Sequence, residues 1–299
     1  MAEIYLKTQQ VADALGLGVS TVKRLVDKDR IVAIRTSGKH RLISLEEARR
    51  FAKSENLPTD RLDELAASVL PDDSMDIDDE TRDRLFDLLK AGKDVDAGQL
   101  IVDVHARVRN AAVLADELIH RVMARIGHNW MIGTWNIYEE HQASQIVART
   151  IGELIRKATR TPNAPMVLGA GAPGDNATIA LLLGELTLRE AGCEVRNLGP
   201  NLPFDSLTEA VESYNPAMVF LTVCHLCKSV AEFQREYLRF HEAARSRGVA
   251  VVLGGRALGP ELRSILPYTS FGDRMSHLHE FGRHLAATRA TNSVSVDVG

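Results

Sequence analysis

From residue 164 onward, short apolar runs of β type alternate with stretches of helical periodicity, and this alternation confines that half of the chain to a parallel sheet with crossover helices. Residues 166–169 read as a first strand, followed by a helix over 176–191 and a second strand over 194–198. Residues 218–223 and 249–253 are further strands, separated by helices over 204–213 and 229–247. The pattern predicts a flavodoxin-like doubly wound parallel sheet over residues 164–289, with a flexible tail over 290–299. Such sheets bind ligands beyond the carboxyl ends of their strands. The loops concerned are 169–175, 199–203, 222–228 and 254–257.

Residues 81–160 contain no proline, and apolar side chains recur there at helical spacing, as in Leu85, Leu88 and Leu89, then Val108, Ala112, Ala115, Leu118 and Ile119. A four-helix bundle is expected. Nine residues separate Trp130 from the dipeptide Glu140-His141, close to three turns of a continuous helix or the two sides of a bend, so these side chains could line one pocket.

Residues 71–80, Pro-Asp-Asp-Ser-Met-Asp-Ile-Asp-Asp-Glu, are acidic and poor in large apolar groups, which suits a solvated linker over 58–80. Ahead of it the balance reverses. Residues 1–53 hold eleven Lys and Arg against six Asp and Glu, although the whole chain has a net charge of -4. Thr8 opens a short helix with Val11, Ala12 and Leu15 on one face, ending at Gly16. Ser20 is the expected cap of a second helix that turns Val22, Leu25 and Val26 inward and Thr21 and Arg24 outward.

Two strands follow, over 32–35 and 40–43, joined by a tight turn, and then a helix capped by Ser44 with Glu47 closing a capping box. This is a winged helix-turn-helix over residues 1–57, and its expected partner is double-stranded DNA. Ser20, Thr21, Lys23 and Arg24 would face the major groove, Thr21 and Arg24 reading bases. Lys39, His40 and Arg41 on the wing would supply charge against phosphates. Specific binding by so small a head calls for repeated half-sites, hence a dimer or tetramer.

No apolar run approaches the roughly 20 residues of a membrane helix, and the first residues lack a secretory pattern, so the chain is expected in the cytoplasm with its three cysteines reduced. Two local motifs point elsewhere. Gly169-Ala-Gly171-Ala-Pro-Gly174 has dinucleotide-site spacing, but the next strand ends without the acidic residue that such a site needs. Cys224-His225-Leu226-Cys227 has metal-ligand spacing, yet no second ligand pair lies nearby in sequence.

The head, with Thr8-x-x-Val11-Ala12, Ser20-x-x-x-Arg24 and Gly38-Lys39-His40-Arg41, resembles the MerR-type and excisionase-like winged helix. With Trp130, Glu140-His141, Gly174-Asp175, Leu198-Gly199-Pro200-Asn201-x-Pro203 and Gly254-Gly255-Arg256-Ala257-Leu258, nearly the whole chain is similar to the CarH-like photoreceptor family of cobalamin-dependent MerR-type regulators. The resemblance implies a transcription regulator, not an enzyme, with adenosylcobalamin held between bundle and sheet. Trp130, Glu140 and His141 would cover its upper face, and Asp175, Thr222, Cys224, His225, Gly254 and Gly255 would lie on the sheet side.

Two positions depart from the family's pattern. Ala177 stands where the resemblance places the cobalt-ligating His of a D-x-H-x-x-G motif, and Met131 stands where photosensing members carry a His. The cofactor expectation is therefore cobalamin without the usual His, haem or another tetrapyrrole, or none, with His225 as the substitute metal ligand. If none is bound, the sensor domain would serve oligomerisation or binding of a protein partner.

Overall fold

The computed structural model describes residues 5–28, 30–35, 41–55, 57, 59, 62, 77–159 and 161–294. They fall into two compact units, residues 1–76 and 77–299.

In the first unit β1 (Tyr5–Lys7) runs into α1 (Thr8–Leu15), and then come α2 (Val19–Asp27), β2 (Ile34–Arg35), β3 (Arg41–Ser44) and α3 (Leu45–Ser54). Strand β3 is the centre of an antiparallel three-stranded sheet, with Leu6 opposite Ile43 and Ile34 opposite Leu42. The apolar faces of the three helices close on that sheet through Val11, Ala12, Leu15, Val22, Val26, Ala48 and Phe51.

Three details differ from the sequence reading. Strand β1 is an added element, whose ladder partner lies more than thirty residues away. Ser20 is not the cap of α2: Gly18 occupies the N-cap in extended conformation, its carbonyl accepting the N–H groups of Thr21 and Val22. Ser20 therefore sits exposed in the first turn. Val19 is drawn into the helix because it packs against the core. Ser44 does cap α3, its hydroxyl accepting the Glu47 N–H at 3.2 Å. The Glu47 carboxylate, however, accepts the Val32 N–H at 2.8 Å and pairs with Arg50 at 2.6 Å, tying the approach to β2 onto α3.

The second unit opens with the bundle: α4 (Asp79–Lys90), α5 (Asp94–Val108), α6 and α7 (Ile137–Lys157). Helix α6 is one continuous rod, α-helical at Ala111–Val113, π-helical at Leu114–Ile119 and α-helical again at His120–Met131. The end of the acidic stretch already belongs here, because Ile77 is buried and the Asp78 carboxylate caps α4 by accepting the Thr81 N–H at 2.7 Å.

The sheet layer follows as β4 (Met166–Gly171), α8 (Thr178–Glu190), β5 (Glu194–Asn197), α9 (Phe204–Tyr214), β6 (Met218–Thr222), α10 (Val230–Ser246), β7 (Ala250–Gly254), α11 (Pro260–Ile265), β8 (Ser270–Gly272) and α12 (Met275–Val294). All its pairings are parallel, in the order β5-β4-β6-β7-β8. Numbered within the sheet this is 2-1-3-4-5, the flavodoxin-like order. Strand β6 is buried throughout because both faces are covered, one by Phe204, Leu207, Phe233, Tyr237 and Phe240, the other by Leu181, Leu188 and Leu278. Helix α12 continues to Val294, into the segment read as tail.

Bundle and sheet are joined through specific polar contacts. Glu190 at the end of α8 accepts the Ala111 N–H at 2.7 Å and meets His105 Nε2 at 2.6 Å. Asp116, on the π-helical stretch, accepts the N–H groups of Met275 and Ser276, while Arg274 pairs with the adjacent Glu117. Among the described residues no helix is long and apolar enough to cross a membrane.

Candidate functional site

On α2 the side chains of Ser20, Lys23 and Arg24 are exposed and Thr21 is half-buried, so the helix presents a polar, basic face away from its Val22 and Val26 seam. Arg41 is committed within the fold: its guanidinium donates to both oxygens of the Asp27 carboxylate at 2.7 and 2.9 Å, joining β3 to the last turn of α2. Lys39 and His40 lie outside the described residues.

At the carboxyl edge of the sheet, Asp175 gathers three loops. It is fully buried; one carboxylate oxygen accepts the Ala177 N–H at 3.0 Å, the other accepts the Cys224 N–H, and its own carbonyl accepts the Asn201 N–H at 2.8 Å. The Asn201 side chain in turn accepts the Gly174 N–H at 2.6 Å. The loops after β4, β5 and β6 are thereby fixed to one another.

His225 stands beside this carboxylate, its Nδ1 lying 3.5 Å from Asp175 Oδ1 and its Nε2 against the Arg256 guanidinium. Arg256 also donates through Nε to the Cys224 carbonyl at 3.2 Å. Beneath them the floor is backbone. Gly255 has φ +121°, and a Cβ there would fall 2.5 Å from the Val223 carbonyl oxygen; a Cβ at Gly171 would lie 2.8 Å from Pro200 Cα. Gly254 precedes that turn at the end of β7, and Thr222 is buried with its hydroxyl donating to Ala170 O at 3.5 Å.

The structure thus collects Asp175, Thr222, Cys224, His225, Gly254 and Gly255 at one edge. Asn201 and Arg256 join them. Both lie in motifs quoted from the sequence, but their side-chain roles become visible only when the loops meet. Burial pushes the Cys224 thiol up to about 11, with the Asp175 charge adding to the effect, so it stays protonated at neutral pH. Cys227 is exposed, its thiol donating to the Gly174 carbonyl at 2.8 Å. Among the described residues no three or more His, Cys, Asp and Glu side chains converge as a nest for a bare metal ion.

Trp130 and the Glu140-His141 pair share the corner between α6 and α7. Trp130 lies in the last turn of α6 with 46% exposure, next to exposed Met131 and Ile132, and Ile137 and Tyr138 extend the apolar surface across the corner. Glu140 accepts the Ser144 hydroxyl at 2.8 Å, and His141 is open to solvent. Trp135 serves the core instead, packed on Phe86 at 5.1 Å and covered by Lys90.

The edge is closely packed at its main chain, because a Cβ at Gly171 or Gly255 would meet the neighbouring loop backbone. It does not offer an imidazole at the head of α8: Ala177 is the N-cap there, its N–H already held by Asp175. Nor is the layer between sheet and α8 open next to β4. A Cβ on Gly169 or on Gly184 would meet the Phe220 ring at 2.4 or 2.7 Å, so a group inserted there would have to displace that ring.

Residues 5–55 match the family model described as a helix-turn-helix domain, and residues 81–155 the one described as a B12 binding domain. The HTH-type transcriptional repressor CarH of Myxococcus xanthus is 30% identical over 142 residues, a match spanning 48% of this chain and 46% of that relative, less than half its length. Among solved structures, the monomethylamine corrinoid protein of Methanosarcina barkeri superposes with a TM-score of 0.58 at 14% identity, covering 69% of this chain and 98% of that one, which establishes a common fold. A helix-turn-helix head and a B12-binding domain on one chain make the architecture CarH-like.

Proposed function

We propose that this chain is a DNA-binding transcription regulator whose bundle and sheet together sense a corrinoid. One observation carries the reading: a helix-turn-helix with the basic face of α2 exposed shares its chain with a B12-binding domain. Lys23 would neutralise phosphate charge, and Arg24 with Thr21 would read base edges in the major groove. Two or more heads on repeated half-sites would supply the surface that one lacks, so ligand binding would act on DNA through a homodimer or tetramer.

When bound, a corrinoid would supply the cobalt chemistry, and this chain's residues would hold and screen it. Trp130, Glu140 and His141 would close over the upper face, and the Asp175-centred edge, with Thr222, Cys224, Gly254 and Gly255, would support the lower one. The exposed indole of Trp130, on a helix end with a core tryptophan five residues on, supports that role. The Phe220 ring and Ala177 favour a second reading, in which the edge takes a tetrapyrrole without a nucleotide tail, such as haem.

The test is binding of the full chain to the duplex upstream of its own coding region, in the dark, with and without adenosylcobalamin or haem, alongside light scattering and absorption spectra. Corrinoid-dependent change in both affinity and mass is expected. DNA binding of unchanged affinity and mass with either compound would overturn the sensing half. The absence of salt-sensitive DNA binding would overturn the regulator.

A further inference from the structure

We infer that Lys90, the last residue of α4, is a positioning residue for Trp130, holding the corner between α6 and α7 in its ligand-covering form before any ligand arrives. The inference deepens the corrinoid reading above and rests on it.

The turn that carries the indole is tied to itself by short-range bonds. Gly133, with φ +75°, brings its N–H to the Trp130 carbonyl at 3.0 Å and ends α6. Thr134 then folds back on Asn129, the residue before Trp130. Its N–H donates to the Asn129 carbonyl at 2.9 Å, and its hydroxyl to the Asn129 side-chain oxygen at 2.7 Å. The indole is nearly half exposed, so its place is set by this backbone more than by packing of the ring.

Bonds within the turn leave it free to rock against the bundle, and Lys90 removes that freedom. Its ammonium donates to the Thr134 carbonyl at 3.0 Å and to the Glu139 carboxylate at 3.1 Å, bridging the turn and the start of α7. The same ammonium stands 4.7 Å from the centre of the Trp135 ring, which packs on Phe86 of α4. The Asn136 N–H, donating at 2.6 Å, and Lys90 after it hold the Glu139 carboxyl below its ordinary value, so the acceptor stays charged at neutral pH.

Three of the four bundle helices therefore meet at one cation. Helix α4 supplies it, α6 ends in the turn it holds, and α7 begins with the carboxylate. Beside it a Cβ at Gly92 would lie 2.9 Å from the Gln142 side chain, so the turn after α4 presses on α7 next to His141. The ion pair is partly exposed, so it adds little to global stability, and its effect falls on the geometry of the corner.

The experiment uses the full chain with isotope-labelled tryptophan. Its two tryptophans should give two indole N–H signals, assigned with Trp130→Phe. Heteronuclear relaxation should show both rings rigid in the wild type. Lys90→Met, which keeps an unbranched stem without the charge, should mobilise Trp130 and leave Trp135 rigid, and Lys90→Arg should restore the wild-type behaviour. Thr134→Val, at an exposed position that does not threaten the fold, should also mobilise Trp130.

Adenosylcobalamin titrated in the dark should bind Lys90→Met roughly tenfold more weakly, as expected when the corner is competent about a tenth of the time. In a Trp130→Ala background the same substitution should have no further effect, because it acts through the indole. Additive losses in that cycle overturn the inference, as does a Trp130 ring equally rigid in Lys90→Met and Thr134→Val. A wild-type chain that binds no adenosylcobalamin overturns the corrinoid reading itself and the covering role with it, so the two failures are told apart.

Discussion

Arg41 grips Asp27 through two hydrogen bonds of 2.7 and 2.9 Å, fastening the strand behind the hairpin to the end of the helix expected to enter DNA. The pair is partly exposed, so its coupling should be modest, about 0.5–1 kcal/mol. A double-mutant cycle of Arg41→Ala and Asp27→Ala, followed by urea denaturation of the head, measures it. Strict additivity would mean that the pair holds nothing together.

Arg24→Ala should weaken binding to the specific site by about 1–3 kcal/mol and relax preference at one base position, as removal of a base-reading arginine does. Lys23→Ala should lower affinity for every duplex alike and reduce the salt slope by about one. Fluorescence anisotropy across a salt series separates the two. Equal, sequence-independent losses would make Arg24 another phosphate contact.

Asp116→Ala should leave the first turn of α12 uncapped and Arg274 with one carboxylate fewer. A cap of this kind is worth about 0.5–2 kcal/mol. Thermal unfolding by circular dichroism should show a lower midpoint for Asp116→Ala and a smaller drop for Asp116→Asn, whose side chain still accepts. Identical midpoints for all three proteins would deny the cap any weight.

The three cysteines should separate by reactivity. Burial pushes Cys193 and Cys224 up to about 11, whereas Cys227 is exposed. Iodoacetamide at pH 8 should therefore label Cys227 first, read by peptide mass spectrometry. Because both raised thiols stay protonated in the folded chain, their contribution to stability is complete below about pH 8.5, the value of a free thiol, and is lost as pH rises toward 11. Rapid labelling of Cys224 in native protein would contradict its burial.

The architecture was legible because its elements carry their period in the residues themselves. Strand β6, Met218–Thr222, reads as apolar throughout since both its faces are covered, and Val11, Ala12 and Leu15 fall on one helical face. Strand β1 was hidden because Tyr5, Leu6 and Lys7 make a strand only through pairing with β3. Ser20 looked like a cap by type, yet the packing of Val19 moved the helix start by two residues.

The candidate edge was legible as loops, because glycines and strand ends mark the carboxyl side of such a sheet. Its wiring was not. Nothing local in the sequence says that Asp175 will hold the Cys224 N–H, that Arg256 will find His225, or that Trp135 and not Trp130 belongs to the core. Those relations depend on partners far along the chain.

The capping of α12 by Asp116 sets an order of events at the ribosome. The bundle residue is made 159 positions before Met275, a delay of roughly ten to thirty seconds at about 5–20 residues per second. Once residue 157 has been made the bundle is complete in sequence, yet this one contact with the sheet layer must still wait for Met275. The first turn of the last helix then finds its acceptor already in place, so the contact that closes the second unit is among the last that synthesis permits.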